Sequence, residues 1–558
     1  MTDILKSKKT LITNFLFYVI IAFVFIMPIV RLLLMSLKVG DTYGIGNYIE
    51  LLKEVRTIES IKNTIIISVF STILALIMGV LFAFLVAYTN VKRKGLIEIL
   101  VLLPYIIPSY IITLSWSNLL EPNGFLNNII KSFGINPINI YSLGGIILVL
   151  GICNVPVVFL ITVNMLRKIP RDLEWASRSC GYGRFETLYK INLPQVMPAI
   201  ISGGVLAFLA AIDNFSVPAF LGISSGIPVL STYIYEKAIS FGPSAFSIAA
   251  TLSIILSVIA LTGTALQGKL IKKSSNLDTI KEDRSVRIEF TKINRKIIEI
   301  GALIFLIVIN IVPLIVMVSS SFQSAYGAGL NLKNLSLKNY IFLLKNKGVK
   351  QALFNSITLA VIAVAVCIII GTAIAYIKVR NNSKAMKVGE FSATLTYALP
   401  GIVLALAMIF HWVEPIPGFR PGVYGTIKIL IISYITRYLI LQVKGSTTAI
   451  LAVDPALEEA GRVSGASKFR LWKKIMIPLL SKQVLSSAFL IFMAALTELT
   501  LSSMLAAAGT KTIGLTIFNY QQAGSYNLSA AMSAVIVFMI LIGFIVSKCI
   551  NLKSLKIK

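Results

Sequence analysis

Twelve stretches of this chain, each about 20 or more mostly apolar residues long, decide most of what it can become. Such a run is long enough to cross the hydrocarbon of a bilayer as a helix. They lie at approximately 11–36, 63–89, 96–119, 143–166, 195–221 and 244–268, then 296–319, 353–379, 389–412, 424–443, 481–506 and 528–550. Only 13% of the 558 residues are charged, against about 25% in an ordinary soluble domain. A soluble enzyme, a disordered chain and a fibre are excluded. The expected class is an all-α membrane protein of about 12 transmembrane helices. The first run follows Lys6, Lys8 and Lys9 but is too long for a signal-peptide core, and no small-x-small cleavage site follows it. It reads as the first membrane helix.

The net charge of +29 would suggest nucleic acid in a soluble protein. Here the bases collect in short segments between apolar runs. Lys92, Arg93 and Lys94 follow the second run; Arg167, Lys168, Arg171, Arg178 and Arg184 follow the fourth; Lys269, Lys272, Lys273 and Arg295 flank the sixth and seventh. Lys378, Arg380, Lys384 and Lys387 follow the eighth, and Lys468, Arg470, Lys473 and Lys474 precede the eleventh. All fall on one side if the N-terminus is cytoplasmic, and Lys553, Lys556 and Lys558 put the C-terminus there too, as the positive-inside pattern requires. The lysines of 333–350 are an exception, in a segment long enough to translocate regardless of charge. The partner implied is a lipid bilayer and not nucleic acid.

Cys153, Cys180, Cys367 and Cys549 are far apart, and His411 is the only histidine. Neither a disulfide framework nor a metal site is expected, and no cofactor.

The polar stretch 269–294 near the middle invites a search for an internal repeat. Asn63, Gly79 and Ala83 match Asn355, Gly371 and Ala375, and Leu103-Pro104 and Trp116 match Leu399-Pro400 and Trp412. The expected organisation is a first transmembrane half over 1–268, a linker over 269–294 and a second half over 295–558. Six helices per half give both copies the same orientation, a parallel repeat about an axis along the membrane normal.

The strongest repeat follows the fourth helix of each half. LEWASRSCGYGRFETLYKINLP, residues 173–194, aligns with LEEAGRVSGASKFRLWKKIMIP, residues 457–478, and nine of the 22 positions are identical. Each copy reads as a short helix, a glycine break (Gly181, Gly465) and a second amphipathic helix. Acids near the start (Asp172, Glu174; Asp454, Glu458) suit a helix N-terminus. Ala176, Ala460 and Gly461 allow close approach of another surface, and Pro194 and Pro478 mark the start of the next membrane helix. A rigid basic elbow occurring once per half suits docking to a two-fold symmetric partner.

These residues resemble the E-A-A-x-x-x-G loop of permeases in binding-protein-dependent ABC importers. Glu458, Glu459, Ala460 and Gly465 fit it almost fully; the first copy, Glu174, Ala176 and Gly181, departs at Trp175. Three further stretches, FLAAIDNFSVPAFLG, ITRYLIL and FMAALTELTLSSML, resemble the fused two-half permeases for ferric iron, thiamine and 2-aminoethylphosphonate. The second half departs from the usual L-L-x-P ending with Ala506-Ala507-Ala508-Gly509. The resemblance implies the MetI-like type I ABC importer permease fold. It implies two coupling loops on an ABC ATPase homodimer at the cytoplasmic side, an extracytoplasmic substrate-binding protein, and alternating access driven by ATP. No G-x-x-x-x-G-K-[ST] loop is present, so the chain is expected to leave ATP hydrolysis to a partner and to be no enzyme itself. The substrate implied is ferric iron, with 2-aminoethylphosphonate, thiamine or polyamine as alternatives.

Ionisable residues inside a membrane are costly and face the bundle interior or water. Asp213, Asn214, Arg437 and Glu498 are therefore expected to border the pathway or its gate, Asp213 and Glu498 being near-equivalent in the repeat. The alternative is a buried structural pair such as Glu498 with Arg437. Tyr105, Tyr110, Tyr434 and Tyr438 are weaker candidates. A secondary transporter driven by an ion gradient is a rival class, against which the doubled motif argues. A membrane enzyme would need a catalytic constellation, and neither H-E-x-x-H nor G-x-S-x-G occurs.

Overall fold

The computed structural model describes residues 14–122, 124–240, 242, 244–271, 282–325 and 334–555, with side chains left aside at 125, 266–271 and 544–555. Lys6, Lys8, Lys9, Lys272, Lys273, Lys556 and Lys558 thus lie outside the described residues, as do linker residues 272–281 and the side chains of Lys269, Cys549 and Lys553.

Six long helical elements make up the first half: α1 (Asn14–Ser36), α2 (Val55–Tyr88), the bent α3 (Lys94–Ile106 and Ser109–Leu119), α4 (Leu143–Leu166), α5 (Arg184–Asp213) and α6 (Ala245–Ile271). Six more make up the second: α7 (Lys292–Ser321), α8 (Lys347–Asn381), the bent α9 (Lys384–Ala398 and Gly401–Val413), α10 (Ile427–Leu451), α11 (Lys468–Leu496) and α12 (Tyr526–Leu555). One small hairpin, Lys38–Val39 with Thr42–Tyr43, follows α1. Among the described residues nine helices are long and apolar enough to span a membrane, and the two bent pairs raise the number to 11. The twelfth expected span is α10. At 25 residues it is long enough, but Lys428, Arg437 and Lys444 dilute its apolar character.

The repeat is written in contacts. A Cβ on Gly79 of α2 would lie 2.7 Å from Cβ of Val158 in α4, and one on Gly371 of α8 would lie 2.9 Å from Cβ of Gln442 in α10. Only glycine lets these backbones approach so closely. Ser36 bonds the Tyr48 hydroxyl at 2.7 Å, as Ser321 bonds that of Tyr340 at 2.6 Å. Gly79 and Gly371 fix the α2/α8 correspondence at 292 residues, while Val158 and Gln442 fix α4/α10 at 284.

Among the described residues four π-helical turns recur in pairs: Ala22–Ile26 with Ile307–Ile311, and Leu188–Asn192 with Trp472–Met476. Each ends two residues before a proline: Pro28, Pro313, Pro194 and Pro478. Proline lacks an N–H and its ring crowds the preceding turn, so the ladder widens by one residue instead of ending. Pro194 and Pro478 therefore do not start the next membrane helix. α5 and α11 begin ten residues earlier and run through them. Both stop sooner than expected, α5 at Asp213 and α11 at Leu496, and short helices Ser216–Leu221 and Thr500–Leu505 follow.

α3 and α9 bend by 103° and 114°. The hinge residues are Pro108 (φ −55°, ψ 140°) and Pro400 (φ −53°, ψ 140°), which are 292 residues apart like the glycines of α2 and α8. The match of Leu103-Pro104 and Trp116 to Leu399-Pro400 and Trp412 is thus one helical turn out of register; Pro104 sits inside the first arm of α3.

The halves interlock. The C-terminal part of α1 packs on the second arm of α9, and that of α7 on the second arm of α3. Asn310 of α7 donates to the Leu100 carbonyl at 3.0 Å, and Arg31 of α1 to the Pro415 carbonyl at 2.9 Å. The largest of the hydrophobic clusters draws residues from both halves.

Candidate functional site

Two places concentrate the residues singled out by the sequence: the elbows after α4 and α10, and the junction of α5, α9 and α10 inside the bundle.

The first elbow is the helix Arg171–Ser179, a turn at Gly181 and the start of α5 at Arg184. The second is Pro455–Val463, Gly465 and the start of α11 at Lys468. Gly181 (φ 91°) and Gly465 (φ 76°) occupy the left-handed region that disfavours a side chain. Asp454 caps its helix by accepting from the Ala456 amide at 2.9 Å.

The seven residues expected to form one docking set divide into three kinds. Gly181 and Gly465 make the turns. Ala176, Glu459 and Ala460 are exposed. Glu174 and Glu458 point inward, with side chains only 13% and 4% exposed. Glu458 accepts from Arg380 Nε at 2.6 Å and from the Tyr376 hydroxyl at 2.7 Å. Glu174 accepts from Arg287 Nη1 and from Asn192 Nδ2. The glutamates tie the elbows to the bundle; they do not present a charge outward. Sequence reasoning missed what does face outward: Leu173 and Leu457, and Phe185 and Phe469, the phenylalanines 87% and 75% exposed. The signal was there, since both pairs are identical between the copies. Trp175, the departure from the motif, stays half exposed beneath Arg171, whose guanidinium lies 5.4 Å from the ring centre.

Inside the bundle, Asp213 ends α5 and reaches across to the second half. Its Oδ2 accepts from Arg437 Nη2 at 2.6 Å and its Oδ1 from the Gly401 amide at 2.7 Å. Arg437 Nη1 also donates to the Leu399 carbonyl at 2.5 Å. The ion pair therefore plugs the break in α9 at Pro400, where backbone groups have lost their helical partners. Arg437 is nearly enclosed, while the Asp213 side chain is 40% exposed. The pair stands at a rim where the two halves meet.

One expectation is corrected here. Arg437 does not pair with Glu498; its partner is Asp213, because α5 of the other half delivers a carboxylate to the broken helix. Asp213 and Glu498 are near-equivalent in the repeat, one residue apart. Asn214 Oδ1 accepts from the Val217 amide at 2.9 Å, as Glu498 Oε1 does from the Leu501 amide at 3.0 Å. Asn214 and Glu498 hold the same position, each capping the short helix that follows, and Thr497 stands where Asp213 does.

Glu498 also accepts from the Tyr438 hydroxyl, and Tyr110 and Tyr434 are buried within range of its charge. Asn214 Nδ2 donates to Ser109 at the hinge of α3, at 3.2 Å. Tyr105 is exposed and belongs to neither group. His411 packs edge-on against Phe23 and Trp412, with ring centres 4.8 and 5.1 Å away. Among the described residues no group of three or more His, Cys, Asp or Glu could hold a metal ion.

The chain matches the family described as "Binding-protein-dependent transport system inner membrane component" twice, over residues 75–275 and 367–552. It is 25% identical over 544 residues to the ferric transport system permease protein FbpB of Actinobacillus pleuropneumoniae, covering 96% of this chain and 78% of that protein. It is 21% identical over 503 residues to the Fe(3+)-transport system permease protein FbpB 2 of Haemophilus influenzae, covering 90% of each. A protein of Salmonella typhimurium provisionally named 2-aminoethylphosphonate transport system permease protein PhnU is 24% identical over 247 residues, covering 43% of this chain and 84% of that one.

Proposed function

This chain belongs to the family of binding-protein-dependent transport system inner membrane components, and from that premise we propose that it carries ferric iron inward through an ATP-driven importer. It is a multi-pass inner membrane protein of two permease halves. In this reading the halves are 1–268 and 295–558, joined by 269–294, with both termini cytoplasmic. Each elbow seats on one copy of an ABC ATPase dimer, and an extracytoplasmic binding protein delivers the substrate. ATP hydrolysis falls to the partner.

The observation that carries the coupling role is the doubled elbow. Each has an inward glutamate locked to the bundle and exposed Leu and Phe side chains on its outer face. A rigid element with an unpartnered apolar tip transmits a push; a loose loop would absorb it. The Asp213–Arg437 pair supplies the gate. It joins α5 of one half to α9 and α10 of the other, so a rotation of the halves must break or remake it. Two-state alternating access requires contacts that differ between the states. Ferric iron as the substrate rests on the names of the two full-length relatives.

Uptake of radiolabelled ferric iron in cells with and without this chain tests the reading. Uptake should require the chain, collapse when ATP is depleted by arsenate, and survive a protonophore that leaves ATP intact. Iron uptake unchanged by loss of the chain would refute the substrate, and labelled 2-aminoethylphosphonate is then the next probe. Uptake that survives ATP depletion and fails with the protonophore would refute ATP-driven import.

A further inference from the structure

The second elbow is held by residues of its own half. Arg380, at the end of α8, donates Nε to Glu458 and Nη2 to the Val453 carbonyl at 2.8 Å. The 292-residue correspondence fixed by Gly79 and Gly371 puts Tyr88 at that position in α2. The first half therefore lacks the arginine that its elbow needs.

A guanidinium is nevertheless there. Arg287 donates Nη1 to Glu174 and Nη2 to the Ile169 carbonyl at 2.5 Å. Glu174 and Ile169 correspond to Glu458 and Val453 at the same 284-residue spacing, so the two guanidiniums make the same pair of contacts. Arg287 comes from the segment between the halves and not from α2. Its side chain is 3% exposed, its Nη1 also donates to the Tyr88 hydroxyl at 2.9 Å, and its guanidinium carbon lies 4.4 Å from the Tyr88 ring centre. The tyrosine at the arginine's place thus becomes a seat for the replacement.

The backbone fixes it there. The amides of Arg287 and Ile288 both donate to the Tyr88 carbonyl at 2.9 Å, and Ile288 pairs with Thr89 as a parallel bridge. The Asn90 side chain exchanges bonds with the backbone of Phe290 at 3.0 and 3.2 Å. The Asp283 amide donates to the Arg167 carbonyl at 2.7 Å. Burial works against the Asp283 carboxylate, but the Ser285 amide and Arg287 hold its pKa below the ordinary value. It stays an anion beside the arginine.

We infer that the segment joining the two halves is a working part of the first elbow: Arg287 is a positioning residue that locks Glu174 as Arg380 locks Glu458. The covalent fusion of the halves then contributes to coupling on one side only. The effect on transport rests on the coupling role proposed above; the locking itself does not.

Hydrogen exchange of residues 171–192 in the purified full chain reads the lock directly, and ATP-driven uptake by the assembled transporter reads its consequence. Arg287→Ala should speed exchange in 171–192 by about tenfold or more, since it leaves Glu174 half paired, while 455–476 stays unchanged. Arg287→Lys should give a smaller increase, because an ammonium cannot reproduce the fork. Tyr88→Arg with Arg287→Ala should restore protection by returning the guanidinium to its place in α2. Arg380→Ala should loosen only 455–476. Unchanged exchange in 171–192 with Arg287→Ala, or no rescue by Tyr88→Arg in a protein that folds, would overturn the inference. A loosened first elbow with undiminished uptake would leave the lock standing and overturn the coupling role.

Discussion

The two halves agree where helices pack and disagree where charges sit. Gly79 and Gly371 make the same close approach, and Ser36–Tyr48 and Ser321–Tyr340 the same hydrogen bond. Asp213, Arg437 and Glu498 have as counterparts Thr497, Cys153 and Asn214, at the 284-residue spacing. Close packing tolerates little change, so a duplicated scaffold keeps its glycines and small polar clamps. The proposed gate needs one ion pair, not two. The membrane makes a second unpaired charge expensive. Symmetric packing with asymmetric electrostatics suits the proposed single pathway between two like halves.

The comparison breaks most visibly at Arg437. Replacing it with Leu takes the cation from Asp213 and the donor from the Leu399 carbonyl at the break of α9, leaving Asp213 only the Gly401 amide. About 3 kcal/mol should be lost, the low end for a buried pair because Asp213 is partly open to water. Uptake should fall by two orders of magnitude or so, whereas Cys153→Leu at the equivalent place should leave it within about twofold. Comparable losses from the two variants would contradict the asymmetry.

Packing should respond alike in both halves. Gly79→Leu and Gly371→Leu each force α2 off α4 or α8 off α10, costing about 2 kcal/mol. Thermal melts of the detergent-solubilised protein should shift by similar amounts; a large difference would argue that one half alone carries the fold.

Glu498→Gln keeps an acceptor for the Leu501 amide and puts an amide NH2 against the Tyr438 hydroxyl, which can turn to accept from it, so about 1 kcal/mol is at stake. Uptake should drop severalfold if the charge acts on the pathway, beyond what Asn214→Ala does in the first half. Unaltered uptake would remove Glu498 from the pathway. The smallest effect belongs to His411→Phe, which fills an aromatic niche with another ring and should move the melting temperature by no more than a few degrees.

Much of this architecture was legible in the sequence because its cause is local. Apolar runs of bilayer length betray the helices, and the motif around Gly181 and Gly465 betrays the elbows by its composition and spacing. What escaped depends on contacts between distant segments. The hinge of α3 is at Pro108 and not at Pro104, since both prolines are flanked alike and only the path of the chain separates them. The partner of Arg437 is 224 residues away in the other half. Arg287 lies 113 residues from Glu174, in a run of mixed charge that reads as solvated linker. The starts of α5 and α11 escape the sequence because proline at the π-helical turns reads as a boundary, whereas the helix widens and continues.

Site-directed disulfide capture tests the central claim, one ATPase-docking elbow in each half, most directly. In a background with the four native cysteines replaced, Ala176→Cys and Ala460→Cys present exposed thiols at equivalent places on the two elbows. Co-expressed with an ATPase subunit carrying a single cysteine at its docking face, each variant should capture one ATPase copy, and the double variant two. Capture at Ala460 alone, or at neither position while uptake persists, would contradict the account.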